Sequence, residues 1–214
     1  MYQETVTPEL FEVLNKLMAL ETLAPFRLVG GTAISLQIGH RKSIDTDIFC
    51  NEQVSKQRIV AAIQSNFINT ICRPTSYCIN AVINNVKIDI YDEWSIPFKK
   101  PIVNQDGIRL ADLEDLAVFK LTALTERREK KDYVDLYFLF KQFGGLHILE
   151  QHKEYNPLLS QQSILFALKE VDTAVSNKSV MPDMLVPFSW DQAVVHIKSV
   201  AKEYFNFLQK QQKK

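Results

Sequence analysis

Apolar residues recur along this chain with two different periods. Leu10, Val13, Leu14, Leu17 and Met18 repeat every three to four positions behind Thr7-Pro8-Glu9, a capping hydroxyl followed by proline at the first helical position. That spacing predicts a helix to about Leu23. Phe26 to Val29 reads as a short buried strand, Gly30-Gly31 as a tight turn, and Thr32 to Ile38 as a helix. After the polar loop His40 to Ile44, a second strand is expected from Asp45 to Cys50, and Ser55 opens a helix with Ile59, Val60, Ile63 and Phe67 on one side. Tyr77 to Ile83 and Val86 to Tyr91 form a hairpin around Asn84-Asn85, since asparagine tolerates the positive φ of a tight turn.

Beyond this point the pattern changes. Residues 92–110, with Pro97, Pro101 and Gly107, read as an irregular connection. From Asp112 onward only the helical period remains: one helix with Leu113, Leu116, Phe119, Lys120 and Leu124, a second over about Lys131 to Gln142 stopping at Gly144-Gly145, and later helices near 160–175 and 190–210. Ser189-Trp190-Asp191-Gln192 fits a capping box for the last. The expected fold class is α+β: a small mixed β-sheet with flanking helices over residues 1–105, followed by a helical bundle over 106–214.

Composition narrows the class of function. With 25 basic and 25 acidic residues the formal net charge is zero, so no global field advertises nucleic acid or membrane surfaces. Uncharged stretches reach about 14 residues, short of the roughly 20 a membrane span needs, and no leader pattern opens the chain. Three cysteines, an odd number without C-x-x-C spacing, favour a reduced compartment, and a cytoplasmic location is expected. No histidine or cysteine spacing suits zinc.

The candidate chemistry begins with Gly30-Gly31-Thr32 and, twelve residues on, Asp45-Thr46-Asp47 at the head of an apolar strand. Alternation puts Asp45 and Asp47 on one face, about 6.6 Å apart along the strand. Like charges so placed repel, and a divalent cation between them explains the pair best. In Val86-Lys87-Ile88-Asp89-Ile90-Tyr91, Asp89 points away from the core with the phase of a third ligand. Oxygen donors select magnesium or manganese over zinc. Gly30-Gly31 lets backbone approach an anion closely, and the helix behind it offers free N–H groups and the positive end of its dipole. Arg41 and Ser43, in the loop before Asp45, are placed to contact phosphate.

Val29-Gly30-Gly31-Thr32-Ala33, His40-Arg41-Lys42-Ser43-Ile44-Asp45-Thr46-Asp47-Ile48-Phe49, Asp115-Leu116, Lys120-Leu121, Ala123-Leu124, Arg127 and Lys131-Asp132-Tyr133-Val134-Asp135-Leu136 together resemble the AbiEii/AbiGii-type toxin family within the polymerase-beta nucleotidyltransferase superfold. The resemblance spans about residues 26–140 and implies that Asp45 and Asp47 hold metal, that Lys120 contacts a triphosphate, and that Asp135, with Asp132, completes the site. It implies transfer of a nucleoside monophosphate from a triphosphate to an acceptor hydroxyl, with two Mg²⁺ or Mn²⁺ ions, a transfer RNA acceptor and an antitoxin partner. Asp89 rests on strand phase more than on resemblance, and Thr32 keeps the hydroxyl where relatives often carry serine. Plain alternatives stand beside these roles. The plain reading of Lys120 is an ordinary exposed helix position, and that of Asp132 and Asp135, at i and i+3, is salt-bridge pairing with Arg127, Arg128, Lys130 or Lys131. For the whole chain the alternatives are transfer to a small molecule or protein hydroxyl, or an idle relative that binds nucleotide or a partner as a regulator.

Overall fold

The computed structural model describes residues 1–172 and 179–212, and the chain divides into two units, Met1–Asp112 and Leu113–Lys214. In the first unit, Thr7 Oγ1 accepts from the Leu10 amide at 3.2 Å and starts α1 (Pro8–Met18), whose Leu10, Val13, Leu14, Leu17 and Met18 are all buried. A 3₁₀ turn, Glu21–Leu23, replaces the predicted last turn of this helix. There follow β1 (Arg27–Val29), α2 (Gly30–Ile38), β2 (Thr46–Phe49), α3 (Lys56–Asn66), β3 (Thr70–Pro74), β4 (Ile79–Ile83), β5 (Val86–Tyr91), β6 (Val103–Gln105) and β7 (Ile108–Leu110).

Among the described residues seven strands form one mixed sheet in the order β3-β4-β5-β2-β1-β7-β6, parallel at β2/β5 and β1/β7 and antiparallel elsewhere. Alternation fixes its two faces. Ile48, Ile79, Ala81, Ile83, Ile88 and Ile90 are buried, whereas Asp47, Phe49, Asp89 and Tyr91 are half-buried and Asn80 is exposed. Each buried isoleucine contributes roughly 1.5–3 kcal/mol, and a one-residue slip would turn all of them outward, so the register is strongly specified. The β4–β5 turn uses Asn84 (φ 49°) and Asn85 (φ 67°), as its sequence predicts.

Three features differ from the expectation. The segment read as irregular contains a hairpin, β6–β7, around Asp106-Gly107, both at positive φ; it adds to the β1 edge and moves the division from 105/106 to 112/113. Arg109 of β7 anchors it, donating to the carbonyls of Met18 (2.7 Å), Leu23 (2.8 Å) and Phe26 (3.1 Å). Strand β3 was not expected either: it is an edge strand ending in proline, with weak alternation.

The second unit comprises α4 (Leu113–Glu126), α5 (Lys130–Phe143), α6 (Gly145–Tyr155), α7 (Gln161–Lys169) and α8 (Trp190–Gln212). Helix α6 was not predicted, because Gly144-Gly145 reads as a stop and instead joins two helices. The helix expected near 160–175 ends at Lys169, and positions 173–175 lie outside the described residues. Ser189 Oγ accepts from the Gln192 amide at 3.4 Å, the predicted cap of α8. Leu121, Leu124, Tyr133, Leu139, Leu149, Ile164, Leu168, Ile197 and Tyr204 are buried between the helices. The buried phenol of Tyr133 donates to the Ala167 carbonyl at 2.7 Å, and burial raises its pKa. No helix among the described residues is long and apolar enough to cross a membrane.

His152 of α6 is fully buried, with Nε2 3.1 Å from Thr122 Oγ1 and Nδ1 without a hydrogen-bond partner. Burial pushes its pKa down from 6.5 to about 4. The unfolded chain therefore takes up a proton below about pH 6.5 that the fold refuses until about pH 4, so this contribution is complete above 6.5 and is lost as pH falls between those values. Urea unfolding of wild type and His152→Gln across pH 4–8 is expected to show the difference: the wild-type profile falls more steeply toward acid, by about 2–3 kcal/mol in total.

Candidate active site

The site on the sheet is built by β1, β2 and β5. Ladder pairing sets Val29 opposite Asp47 and Asp47 opposite Asp89, so the two carboxylates stand side by side on one face, on strands about 4.8 Å apart. Gly30 follows Val29 at φ +69°, and a Cβ there would lie 2.5 Å from Asp47 Oδ2. Only glycine leaves room for that carboxylate, and the left-handed backbone also favours it. At Gly31 the same imagined atom would collide with the Arg41 guanidinium and come within 3.5 Å of Ser43 Oγ. The glycine pair thus lies directly under one carboxylate and one guanidinium.

Thr32 and Ser43 are buried and hold the loop to the turn: Thr32 Oγ1 lies 2.8 Å from Ser43 Oγ and donates to the Asp45 carbonyl. Arg41, also buried, donates from Nη1 to the Lys42 carbonyl at 2.9 Å. Helix α2 has no side-chain cap at its N-terminus, so its leading N–H groups are not taken by a side chain of its own. Gly30, Gly31, Thr32, Arg41, Ser43, Asp45 and Asp47 therefore form one continuous assembly. β2 begins at Thr46, one residue after Asp45, whose carbonyl accepts from Thr32 Oγ1 and whose side chain is exposed.

Asp45, Asp47 and Asp89 offer only hard oxygen donors, which fit Mg²⁺ or Mn²⁺. Register aligns Asp47 with Asp89, and Asp89 Oδ1 accepts from Asn80 Nδ2 at 2.6 Å. Among the described residues no three His, Cys, Asp or Glu side chains are closed around a common point. Sequence reasoning missed Asn80 and the rings beyond the acids. Phe49 and Tyr91 pack edge to face at 4.9 Å and Trp94 lies 4.3 Å from Phe49. Tyr91 is pushed up to about 12, by burial first, then by Cys78 and the Asp89 carboxylate, with Asp47 adding to it. The alternation that exposes Asp47 and Asp89 exposes Phe49 and Tyr91 as well, and was a legible signal.

In the helical unit Lys120, Asp132 and Asp135 come together. Lys120 Nζ lies 2.9 Å from Asp132 Oδ1 and 2.9 Å from Asp135 Oδ2, with side-chain exposures of 4%, 0% and 0%. Arg127 Nε reaches Asp132 Oδ2 at 3.3 Å. Two cations and two carboxylates make the cluster formally neutral. Lys120 is thus not the exposed position of the plain reading, since burial of the two acids requires its charge; the expected Arg127–Asp132 pair is present.

No known protein-family profile matches the chain. An uncharacterised protein of Aquifex aeolicus is 28% identical over 136 residues, covering 62% of this chain and 66% of that protein, so the match spans just under two thirds of that relative. Among solved structures, a protein of H. pylori assigned to the nucleotidyltransferases superposes with a TM-score of 0.53 at 18% identity, covering 98% of both chains. ANT(2″)-Ia in complex with adenylyl-2″-tobramycin gives 0.54 at 15% identity over 70% of this chain and 98% of its own. MenT4, a nucleotidyltransferase toxin of Mycobacterium tuberculosis, gives 0.51 at 11% identity over 90% and 83%.

The fold is that of the nucleotidyltransferases.

Two substitutions test the geometry. Gly30→Ala is expected to cost about 1–2 kcal/mol from the left-handed backbone alone and to displace the Asp47 carboxylate, read as a fall in unfolding free energy. Lys120→Met removes the ammonium that pairs both buried carboxylates, and a loss of about 3–5 kcal/mol in urea unfolding is expected. The triple variant Lys120→Met, Asp132→Asn, Asp135→Asn should recover a large part of it.

Proposed function

We propose that this chain is a metal-dependent nucleotidyltransferase, moving a nucleoside monophosphate from a nucleoside triphosphate to an acceptor hydroxyl. The supporting observation is the glycine turn seated under Asp47, with Asp89 beside it in register. In this reading the leading N–H groups of α2 and the Arg41 guanidinium receive the β- and γ-phosphates, and Gly30-Gly31 lets them approach the backbone. Thr32 and Ser43, already bonded to each other, keep the loop that presents Asp45 in place. The acceptor oxygen forms a bond to the α-phosphorus as the bond to the bridging oxygen breaks; pyrophosphate leaves with that electron pair and the hydroxyl proton passes to solvent. Mg²⁺ or Mn²⁺ held by Asp45, Asp47 and Asp89 would supply the charge that acidifies the acceptor hydroxyl and neutralises the phosphates.

Lys120, Asp132 and Asp135 enter this proposal through the resemblance to AbiEii/AbiGii-type toxins, which implies that Lys120 contacts the triphosphate and that Asp135, with Asp132, completes the site. The fold likeness to MenT4, a nucleotidyltransferase toxin, supports extending the reading to a toxin; a transfer RNA acceptor and an antitoxin partner enter through the AbiEii/AbiGii resemblance. A second reading, transfer to a small molecule, is supported by the likeness to ANT(2″)-Ia bound to adenylyl-2″-tobramycin.

Purified protein incubated with total RNA, magnesium and each α-labelled triphosphate in turn is expected to label RNA. Asp47→Ala should lower incorporation by at least about a hundredfold, and chelation of the metal should abolish it. Label on tobramycin instead of RNA would select the second reading. Absence of both transfer and metal-dependent triphosphate binding would overturn the proposal.

A further inference from the structure

The row that holds the two carboxylates continues past Asp89. Asp89 pairs with Asn80 on β4 and Asn80 with Arg73 on β3, so Val29, Asp47, Asp89, Asn80 and Arg73 stand opposite one another across five strands. Directly paired residues project on one face. At about 4.8 Å per strand, the Arg73 backbone lies about 10 Å from that of Asp89 and about 14 Å from that of Asp47. Exposure rises along the row: Asp47 and Asp89 are half-buried, and Asn80 and Arg73 are open to solvent. Lys87, two residues before Asp89 on β5 and therefore on the same face, is exposed too.

The two ends of the row have opposite characters. At the β1 end the glycine turn and the uncapped start of α2 form the seat for the leaving pyrophosphate. An in-line displacement brings the attacking oxygen from the side opposite the leaving group. That side is the Asp89 end, where Asn80 Nδ2 holds Asp89 Oδ1 at 2.6 Å and Arg73 follows one strand further out. Resting on the transfer reading above, we propose that Arg73, across Asn80, is a specificity-determining residue of the acceptor half of the site. The acceptor it selects is anionic, a hydroxyl compound with a phosphate close enough to reach the Arg73 guanidinium while the hydroxyl lies over Asp47 and Asp89. A nucleotide or the end of a polynucleotide has that spacing of hydroxyl and phosphate. A polycationic aminoglycoside does not suit this edge, since Arg73 and Lys87 both repel it.

The test uses the full chain with magnesium and a non-hydrolysable triphosphate analogue, titrated against a fluorescein-labelled short oligoribonucleotide and followed by anisotropy. Arg73→Glu is expected to weaken binding about tenfold or more, with a shallower salt dependence, while Arg73→Lys keeps most of the affinity. Calorimetric affinity for the triphosphate should be the same in all three proteins, which also shows that the variants are folded. Competition by adenosine monophosphate would identify a single nucleotide as sufficient, and its failure to compete would require a polynucleotide end; either supports an anionic acceptor. Equal oligoribonucleotide affinity in wild type and Arg73→Glu, displacement by tobramycin, or no binding by wild type would each overturn it. If triphosphate binding persists in those cases, only the acceptor assignment falls; if it is absent as well, the transfer reading falls with it.

Discussion

Strand register is the constraint on which the candidate site depends. Asp47 is placed by two ladders at once, antiparallel to Val29 and parallel to Asp89. These pairings bring together residues 18 and 42 positions apart in the chain, which no local interaction could do. The register is enforced from the opposite face, where Ile48, Ile88 and Ile90 are buried. The site's geometry is therefore maintained by hydrophobic burial that never touches it. At Gly30 and Gly31 the site constrains the backbone in return, because the Asp47 carboxylate and the Arg41 guanidinium occupy the space side chains would need.

The helical unit solves a different electrostatic problem. Asp132 and Asp135 are fully buried on one face of α5, and the Lys120 ammonium of α4, 2.9 Å from both, offsets the cost of taking them out of water. An isolated carboxylate in such surroundings would cost several kcal/mol. Loss of activity on removing Lys120 would therefore report on folding as well as chemistry, whereas Asp47 and Asp89, half-buried, can be exchanged with smaller structural consequences. This difference makes the sheet residues the sharper probes of function.

Much of the fold was legible. Thr7, Ser55 and Ser189 cap the helices they were expected to cap, and Asn84-Asn85 turns the predicted hairpin. The failures have particular causes. Asp106-Gly107 is a hairpin signal, but it lies in a proline-containing segment, and β6 and β7 are only three residues each, too short to show a period. Gly144-Gly145 is the same dipeptide whether it ends a bundle or joins two of its helices. Asp45 lies one residue before β2, a boundary that periodicity does not fix to the residue.

By itself the sequence determined the alternation that separates acids from core, the glycine pair before a helix, and the helical second half, since each is a local property of periodicity or backbone freedom. Only the tertiary structure decided that Asp47 lies over Gly30, that Asn80 holds Asp89, that Arg73 closes the row, and that Lys120 is buried between two carboxylates. Those facts depend on which strands become neighbours and which helix faces meet, and long-range pairing is selected by the packing of the whole core, not by any short stretch of chain.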